Sequence, residues 1–367
     1  MRRAVIPRLQ PRPGNGKAII FLPLNGKQTM QATKKEVIIG TNPKQAAKQH
    51  MACMEVWGGS QLTTQSVELG GLDAWVYSKP FGQASHGGDV YYASSCATGR
   101  ITRLLLADVA GHGQTVASTA ADLRTLMRRF VNRLDQSEFV RHLNQQFSVL
   151  SEAGTFATAI VATFFSPTQR LIICNAGHPR PLVYRAAKQQ WDFLGLEGVE
   201  GNAASSNLPL GIIDIAEYEQ IDEELESGDC VLTYTDALIE SRDADGEMLG
   251  EAGLLRIVRL LGDVEPEKLT QALLKEIEER YPDNLSEDDV TVLLVRVNGR
   301  RPRYSFKDML WAQVRLLGSL IRAINPWAER PPLPDLNIAN IGGAIIPSLE
   351  QRWRSTGSVH RSHNQPE

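Results

Sequence analysis

Cysteine is scarce in this chain, and what little there is does not pair. Cys53, Cys96, Cys174 and Cys230 are the four in 367 residues, and no two stand close enough to form a metal-binding pair. The last three lie in apolar, strand-like stretches, where a thiol behaves as a small core hydrophobe. They read as reduced and structural, which fits a cytoplasmic setting. Histidines at metal-ligand spacing are also missing, so there is no zinc signature. No uninterrupted apolar run is long enough to span a bilayer. The N-terminus carries Arg2, Arg3, Arg8 and Arg12, but its apolar run from Ala18 to Leu24 is short and contains Pro23, which makes a poor secretory signal. Net charge is small as well. At −3 it gives no general affinity for nucleic acid or acidic membranes, so any such contact has to be local.

What is present is enough apolar material for a real core. Hydrophobic residues make up 42% and charged residues 22%, and the length suffices for a large domain with extensions or for two ordinary domains. Residues 1–50 mix Pro, Gly, Lys and Gln around one short β-like run, Glu36–Gly40, and read as a flexible arm or a segment ordered by docking. From about Leu72 the texture changes. Strand-like runs occur around Val76 and Tyr77, at Asp89–Ala93 and at Ile101–Ala107, the last apolar enough to be central. Val116, Ala120, Leu123, Met127 and Phe130 then recur at helical steps, and Phe139, Leu143, Phe147 and Leu150 repeat the spacing. Further strands are expected at Ala157–Phe165, Leu171–Asn175, Pro181–Tyr184, Asp229–Thr235 and Val290–Val297, with helices at about Gly250–Leu261 and Pro266–Arg280. Strands cluster early and late with helices in pairs between them, which points to packed sheets flanked by helices and not to a repeating βαβ wheel.

Four short segments place an aspartate at the end of a strand-like run, beside glycine or a turn. They are Gly87-Gly88-Asp89, Ala107-Asp108-Val109-Ala110-Gly111-His112-Gly113, Tyr234-Thr235-Asp236-Ala237 and Glu287-Asp288-Asp289-Val290-Thr291. A carboxylate at a strand end can point into a cleft while the strand fixes its position, and a neighbouring glycine lets backbone or substrate approach closely. Several such carboxylates converging would bind hard divalent cations through oxygen, with waters completing the octahedron. Taken singly, an aspartate after a strand is more often a turn former or a helix cap than a ligand, and only the four together change that reading. Two other patterns lead nowhere. Asp243-Ala244-Asp245-Gly246 resembles part of a calcium loop, but the position that needs a bidentate Glu is Ala252. The glycines flanking His112 do not have the spacing of a nucleotide-binding loop.

Taken as an ordered set, the four aspartate segments resemble the SpoIIE-type or RsbU-like branch of the PPM family of metal-dependent Ser/Thr phosphatases. The likeness runs from about Gly71 to Val297. It includes Phe156-Ala157-Thr158-Ala159, Asn175-Ala176-Gly177-His178-Pro179, Leu208-Pro209-Leu210-Gly211 and Gly228-Asp229. The resemblance implies an α+β fold, a four-layer α/β/β/α sandwich with two mainly antiparallel sheets flanked by helices, and two Mn²⁺ or Mg²⁺ ions between the sheets. Carried over residue by residue, Asp89 and Asp108 would hold or bridge the metals, the Val109 carbonyl would be a further ligand, and Asp236 would bind one ion. In the last segment Asp288 best matches the family's ligand, with Asp289 as the alternative. A metal-activated water would then attack phosphorus directly, without a phosphoenzyme.

Two departures bear on mechanism. Many eukaryotic relatives place a phosphate-gripping arginine shortly before the first aspartate, whereas here the stretch is Gly82-Gln83-Ala84-Ser85-His86. His112 follows Asp108 by four positions where the eukaryotic general acid follows by two, so it is carried as a candidate acid against a structural role at the helix entrance. His178 reads as a turn or surface histidine in preference to a catalytic one.

These readings divide the chain into an arm at 1–50, a phosphatase domain at 51–298, and a basic linker, amphipathic helix and irregular tail at 299–367. The stripe Phe306, Leu310, Leu317, Ile321 and Ile324 would pack on the core, bind a partner or a second copy as a homodimer, or lie on a membrane, the least favoured of the three. By resemblance the substrate is a phosphorylated regulatory protein such as a STAS-type anti-sigma-factor antagonist, not nucleic acid. The rival expectations are a non-catalytic module of the same fold that binds phosphoproteins or partners, and a metal-dependent phosphodiesterase.

Overall fold

The computed structural model describes residues 49–50, 56–95, 99–111, 116–130, 135–150, 154–195, 207–262 and 264–300. All lie in the larger of the chain's two compact units, Lys44–Glu367. The expected arm (apart from 49–50), the stripe from Phe306 to Ile324, and the residues Cys53, Cys96 and His112 lie outside the described residues.

The chain opens with β1 (Gln49–His50), β2 (Val56–Gly59), β3 (Thr63–Glu68), β4 (Leu72–Lys79), β5 (Asp89–Ser95) and β6 (Ile101–Val109). Two helices follow, α1 (Ala117–Phe130) and α2 (Gln136–Leu150). Then come β7 (Ala157–Phe165), β8 (Arg170–Ala176), β9 (Leu182–Arg185), β10 (Gln190–Phe193), β11 (Gln220–Glu224) and β12 (Cys230–Tyr234). The last elements are the short α3 (Ala237–Glu240), α4 (Gly250–Leu261), α5 (Pro266–Glu278) and β13 (Val290–Val297). Pro266 suits the first turn of α5, where its missing N–H has no helical partner anyway.

The strands form two sheets. One has the order β1-β3-β4-β13-β12-β9-β10 and the other β11-β8-β7-β6-β5-β2. Every pairing is antiparallel except β1 with β3. The period-2 alternation of the central strands explains their continuous apolar sequences, because both faces are covered. Leu104 and Leu106 of β6, Ile160, Ala162 and Phe164 of β7, and Leu293 and Val295 of β13 meet in the core between the sheets. Leu105, Ala107 and Val109 point the other way, against Leu123 and Met127 of α1 and Phe139, Leu143 and Phe147 of α2. On the opposite outer face, Leu232, Val292 and Leu294 pack against Leu254 and Val258 of α4 and Leu269, Leu273 and Ile277 of α5. Each such fully buried aliphatic or aromatic side chain is worth roughly 1.5–3 kcal/mol of hydrophobic burial. The result is the four-layer α/β/β/α sandwich, an α+β fold.

Sequence reasoning placed the central strands and the longer helices within one or two residues. It missed β2, β3, β10 and β11 and the four-residue α3. It also assigned residues 49–50 to the arm, whereas they pair with Val67 and Glu68 of β3. β1, β2, β10 and β11 are the sheet edges, and β3 is next to one. Such strands bury little and carry polar residues, as Gln220-Ile221-Asp222-Glu223-Glu224 does, so the apolar signal that reveals a strand is weak there.

Candidate metal centre

Both sheets end their inner faces in polar residues at the same end of the sandwich. β5 begins and β6 ends there, and Asp89 sits directly across from Asp108 in the antiparallel register. On the other sheet β12 runs out into Thr235 and Asp236, while β13 is entered through Asp288 and Asp289. Strand alternation aims Asp89, two residues from Tyr91, and Asp108, two residues from Leu106, toward the gap between the sheets.

Asp89 is buried, and its two oxygens are treated differently. Oδ2 accepts a 2.9 Å hydrogen bond from the Thr235 hydroxyl, so this carboxylate ties one sheet to the other. Oδ1 is buried with no hydrogen-bond partner, a costly state for a carboxylate oxygen unless a cation sits beside it. Burial, and then the charge of Asp108, raise the Asp89 carboxyl well above the usual carboxylate range, and the nearby hydroxyls of Thr291 and Thr235 pull the other way. Asp108 is pushed up to about 8, first by burial and then by Asp236, Asp288, Asp289 and Glu240. Asp236 is raised by burial and by Glu240, while the backbone N–H groups of Ala237 and of Asp236 itself pull it down. It heads α3 yet makes no side-chain cap hydrogen bond, so the bland capping role does not account for it. The cluster thus repels itself, the condition that a divalent cation relieves.

The neighbourhood beneath is built from hydroxyls. The Thr235 N–H donates to the Thr291 carbonyl (3.0 Å), the Thr291 N–H donates to the Thr235 hydroxyl (2.9 Å), and the Ser78 and Thr291 hydroxyls lie 2.9 Å apart. These threonines and Glu240 were not singled out in the sequence. Glu240 did have a signal, standing four residues from Asp236 at helical spacing.

The two candidates at the β13 entrance behave differently. Asp288 Oδ1 accepts the Asp289 N–H at 2.7 Å. Asp289 accepts the Phe81 N–H on Oδ1 at 2.6 Å and the Gly88 N–H on Oδ2 at 2.7 Å. Glycine is needed next to it: a Cβ on Gly87 would lie 2.4 Å from Asp289 Oδ1, and one on Gly88 would lie 2.8 Å from the Val109 carbonyl oxygen. The absence of side chains at 87 and 88 therefore lets the loop backbone pack directly against Asp289 and against the Val109 carbonyl.

His178 is buried and distinct from the carboxylates. Its Nδ1 lies 2.8 Å from the Thr158 hydroxyl, and Thr158 is the cross-strand neighbour of Asp108. Burial lowers its pKa to about 3, outweighing the backbone of Tyr234, so it is neutral. Asn175 closes the turn around it, accepting the His178 N–H (2.7 Å) and donating to the His178 carbonyl (2.8 Å). Gly177 has φ +67 and packs on Pro209, a Cβ there falling 2.5 Å from the proline Cγ. The segments around Thr158, His178 and Leu210 thus form one structural cluster beside the carboxylates, with Ala157 and Leu210 exchanging backbone hydrogen bonds.

Among the described residues, no three His, Cys, Asp or Glu side chains close into a ready ligand cage. A Mn²⁺ or Mg²⁺ site needs few protein ligands per ion, because water completes the octahedron. The hard oxygen donors and the orphaned Asp89 Oδ1 fit such an ion. The Asp243–Gly246 turn does not, since the Asp243 Oδ1 accepts the Asp245 and Glu247 N–H groups.

Comparison with known proteins adds to this geometry. The family model described as "Stage II sporulation protein E (SpoIIE)" matches residues 98–298, more than half of the chain. The phosphoserine phosphatase RsbU of Bacillus subtilis is 26% identical over 186 residues, 50% of this chain and 52% of RsbU. Stage II sporulation protein E of Priestia megaterium is 20% identical over 248 residues, 65% of this chain and 39% of that protein. The chain thus spans about half the length of RsbU and less of the sporulation protein. Among solved structures, the RsbU and RsbW domains of a Mycobacterium tuberculosis protein superpose with a TM-score of 0.50 at 20% identity, covering 77% of each chain. The PP2C phosphatase domain of Bacillus subtilis SpoIIE, solved with a fragment of its regulatory domain, gives 0.50 at 19% identity, covering 67% of this chain and 64% of that one. At these identities the solved structures establish the sandwich fold.

Proposed function

The chain belongs to the SpoIIE family, within the PPM phosphatases, and from that premise we propose that it hydrolyses phosphoserine or phosphothreonine on a regulatory protein. Asp89, Asp108, Asp236 and Asp288, with the Val109 carbonyl, would hold two Mn²⁺ or Mg²⁺ ions. The observation that carries this proposal is the buried, unpartnered Oδ1 of Asp89 facing a carboxylate cluster that repels itself. Such ions, when bound, lower the pKa of a water and neutralise phosphoryl oxygens during in-line displacement.

The chain's own residues supply the positioning. Thr235 holds Asp89 by Oδ2 and leaves the buried Oδ1 without a hydrogen bond. The antiparallel register keeps Asp89 and Asp108 opposed, and the apolar inter-sheet core beneath them excludes water from below. Neither cysteine among the described residues suits a nucleophile: Cys174 and Cys230 are buried, and burial pushes each thiol up to about 12. The stretch Gly82–His86 offers no arginine, so phosphate anchoring rests on the ions.

The finer parts of the proposal are a catalytic domain at 51–298, a STAS-type anti-sigma-factor antagonist as substrate, a cytoplasmic location and a homodimer. The similarity to RsbU supports a phosphoprotein substrate. Among the described residues no helix is long and apolar enough to cross a membrane. The test is phosphate release from phosphoserine and phosphothreonine peptides with Mn²⁺, Mg²⁺ or EDTA, for wild type and Asp236→Asn. Metal-dependent turnover that disappears in the variant supports the proposal. Turnover that persists in EDTA, or in Asp236→Asn, overturns it.

A further inference from the structure

We infer that Asp289 is a positioning residue that clamps the crossing between the two sheets, and that it is not a metal ligand. The loop 80–88 leaves β4 in one sheet and enters β5 in the other. Asp289 precedes β13, the neighbour of β4, and its single carboxylate holds both ends of that loop. Oδ1 accepts the N–H of Phe81 at the start (2.6 Å), and Oδ2 accepts the N–H of Gly88 at the end (2.7 Å). Both are short, charge-assisted bonds, roughly twice as strong as neutral ones. The residue is 2% exposed, so little water competes for them.

The third side of the carboxylate is covered as well. Gly87 lies so close that a Cβ there would sit 2.4 Å from Oδ1 and 2.8 Å from Oδ2. A carboxylate with an amide on each oxygen and backbone packed against it has little room left for an ion. Asp288 is the contrast: its Oδ1 accepts the N–H of the next residue in the chain, a bond that does not reach the 80–88 loop. The clamp has a consequence for Asp89, which follows Gly88 directly: fixing the Gly88 amide fixes where the Asp89 side chain starts. The Gly87 N–H, donating to the Ser60 carbonyl at 2.9 Å, pins the same corner. One carboxylate of one sheet thereby sets the position of the principal carboxylate of the other.

What is being positioned rests on the metal-centre proposal, but the clamp itself can be read without metal. Amide exchange by NMR on the metal-free protein, for wild type, Asp289→Ala, Asp289→Asn and Asp288→Asn, gives the first readout. Exchange at Phe81 and Gly88 is expected to quicken at least about tenfold in Asp289→Ala, since each loses its acceptor. In Asp289→Asn, which keeps one carbonyl oxygen, one of the two amides should stay protected. Asp288→Asn should leave both protected. Mn²⁺ titration by calorimetry gives the second readout. Asp289→Ala should bind as many ions as wild type with affinity weaker by about 10–100-fold, the range for a partner that orients a ligand, whereas Asp288→Asn should lose an ion. Loss of an ion in Asp289→Asn with both amides still protected would overturn the inference, as would unchanged exchange in both Asp289 variants. Should Asp289→Ala fail to fold, the isosteric Asp289→Asn carries the test alone. Wild-type protein that binds no Mn²⁺ would defeat the metal-centre proposal while the exchange data still decide the clamp.

Discussion

The inner faces of the two sheets change character along their length. Along β6 the inward residues run Leu104, Leu106, Asp108, and along β13, read backwards, they run Val297, Val295, Leu293, Thr291 and then Asp289. In the apolar stretch the sheets close on each other and leave a void of only about 20 Å³, lined by residues such as Leu104, Leu106, Ile160 and Leu293. A few residues further along, the same sheets hold Asp89 and Asp108, whose pKa values are raised first by burial and then by neighbouring carboxylates, Asp108 for Asp89 and Asp236 for Asp108. One region lowers the free energy of the fold. The other raises it in the metal-free state and is held in place by the first. Groups kept in an unfavourable environment by a rigid frame are what a preorganised site requires.

That contrast can be broken most sharply at its polar end. Asp108→Asn should reduce metal-dependent phosphate release by at least about 10³-fold, the scale expected when ion-assisted displacement is lost. A rate within tenfold of wild type would place the chemistry elsewhere. At the apolar end, Leu106→Ala should cost about 2–5 kcal/mol of stability by urea titration, from lost burial plus the cavity left behind. Its Mn²⁺ stoichiometry by calorimetry should stay that of wild type, and a loss of less than about 1 kcal/mol would mean that the sheets repack freely.

The same Asp108→Asn change should stabilise the metal-free protein, by about 1–3 kcal/mol, because it removes a charge that the folded state disfavours. A urea midpoint below that of wild type would contradict the repulsion argument. The pH dependence follows with a definite sign. Asp108 has a folded pKa near 8 against an ordinary value of 3.8, so across that window the folded state binds more protons than the unfolded one. Stability of the metal-free protein should therefore be greatest near the acidic side of the window and fall as pH rises through 8, with saturating Mn²⁺ flattening the profile. Melting temperatures between pH 5 and 8.5, with and without Mn²⁺, check this; a rise with pH in the metal-free protein would refute it. The smallest effect is expected far from both regions. Arg170 pairs with Asp222 across β8 and β11 at 2.5 Å, but the arginine side chain is 40% exposed. Arg170→Ala should change stability by less than about 1 kcal/mol, and a larger loss would show that this edge pair matters.

How much was legible in the sequence follows the same geography. Central strands such as Ala157–Phe165 and Val290–Val297 are covered on both faces and were visible as mainly apolar runs. Edge strands such as β10 and β11 bury too little to leave that mark. The aspartates were visible because each sits beside a glycine or a turn at the end of a readable strand. The hydroxyls of Thr235 and Thr291 were not, because a threonine in a strand carries no signal of what it faces. The Asp288 and Asp289 pair stayed ambiguous for the same reason. Nothing in five residues of sequence says which carboxylate meets Phe81 and Gly88, some 200 positions earlier.

By itself, then, the sequence determined the order of the main elements and the packing of sheets against helices, since periodicity is a property of neighbouring residues, while the four layers and the carboxylate set came from its resemblance to a family. The tertiary structure alone decided which oxygens are left over. Register placed Asp89 opposite Asp108, and sheet packing gave one Asp89 oxygen to Thr235 and left the other bare. The fold of the 80–88 crossing brought two amides to Asp289. Hydrogen-bond supply and demand at a buried site is a sum over all the segments that meet there, and no single segment carries it.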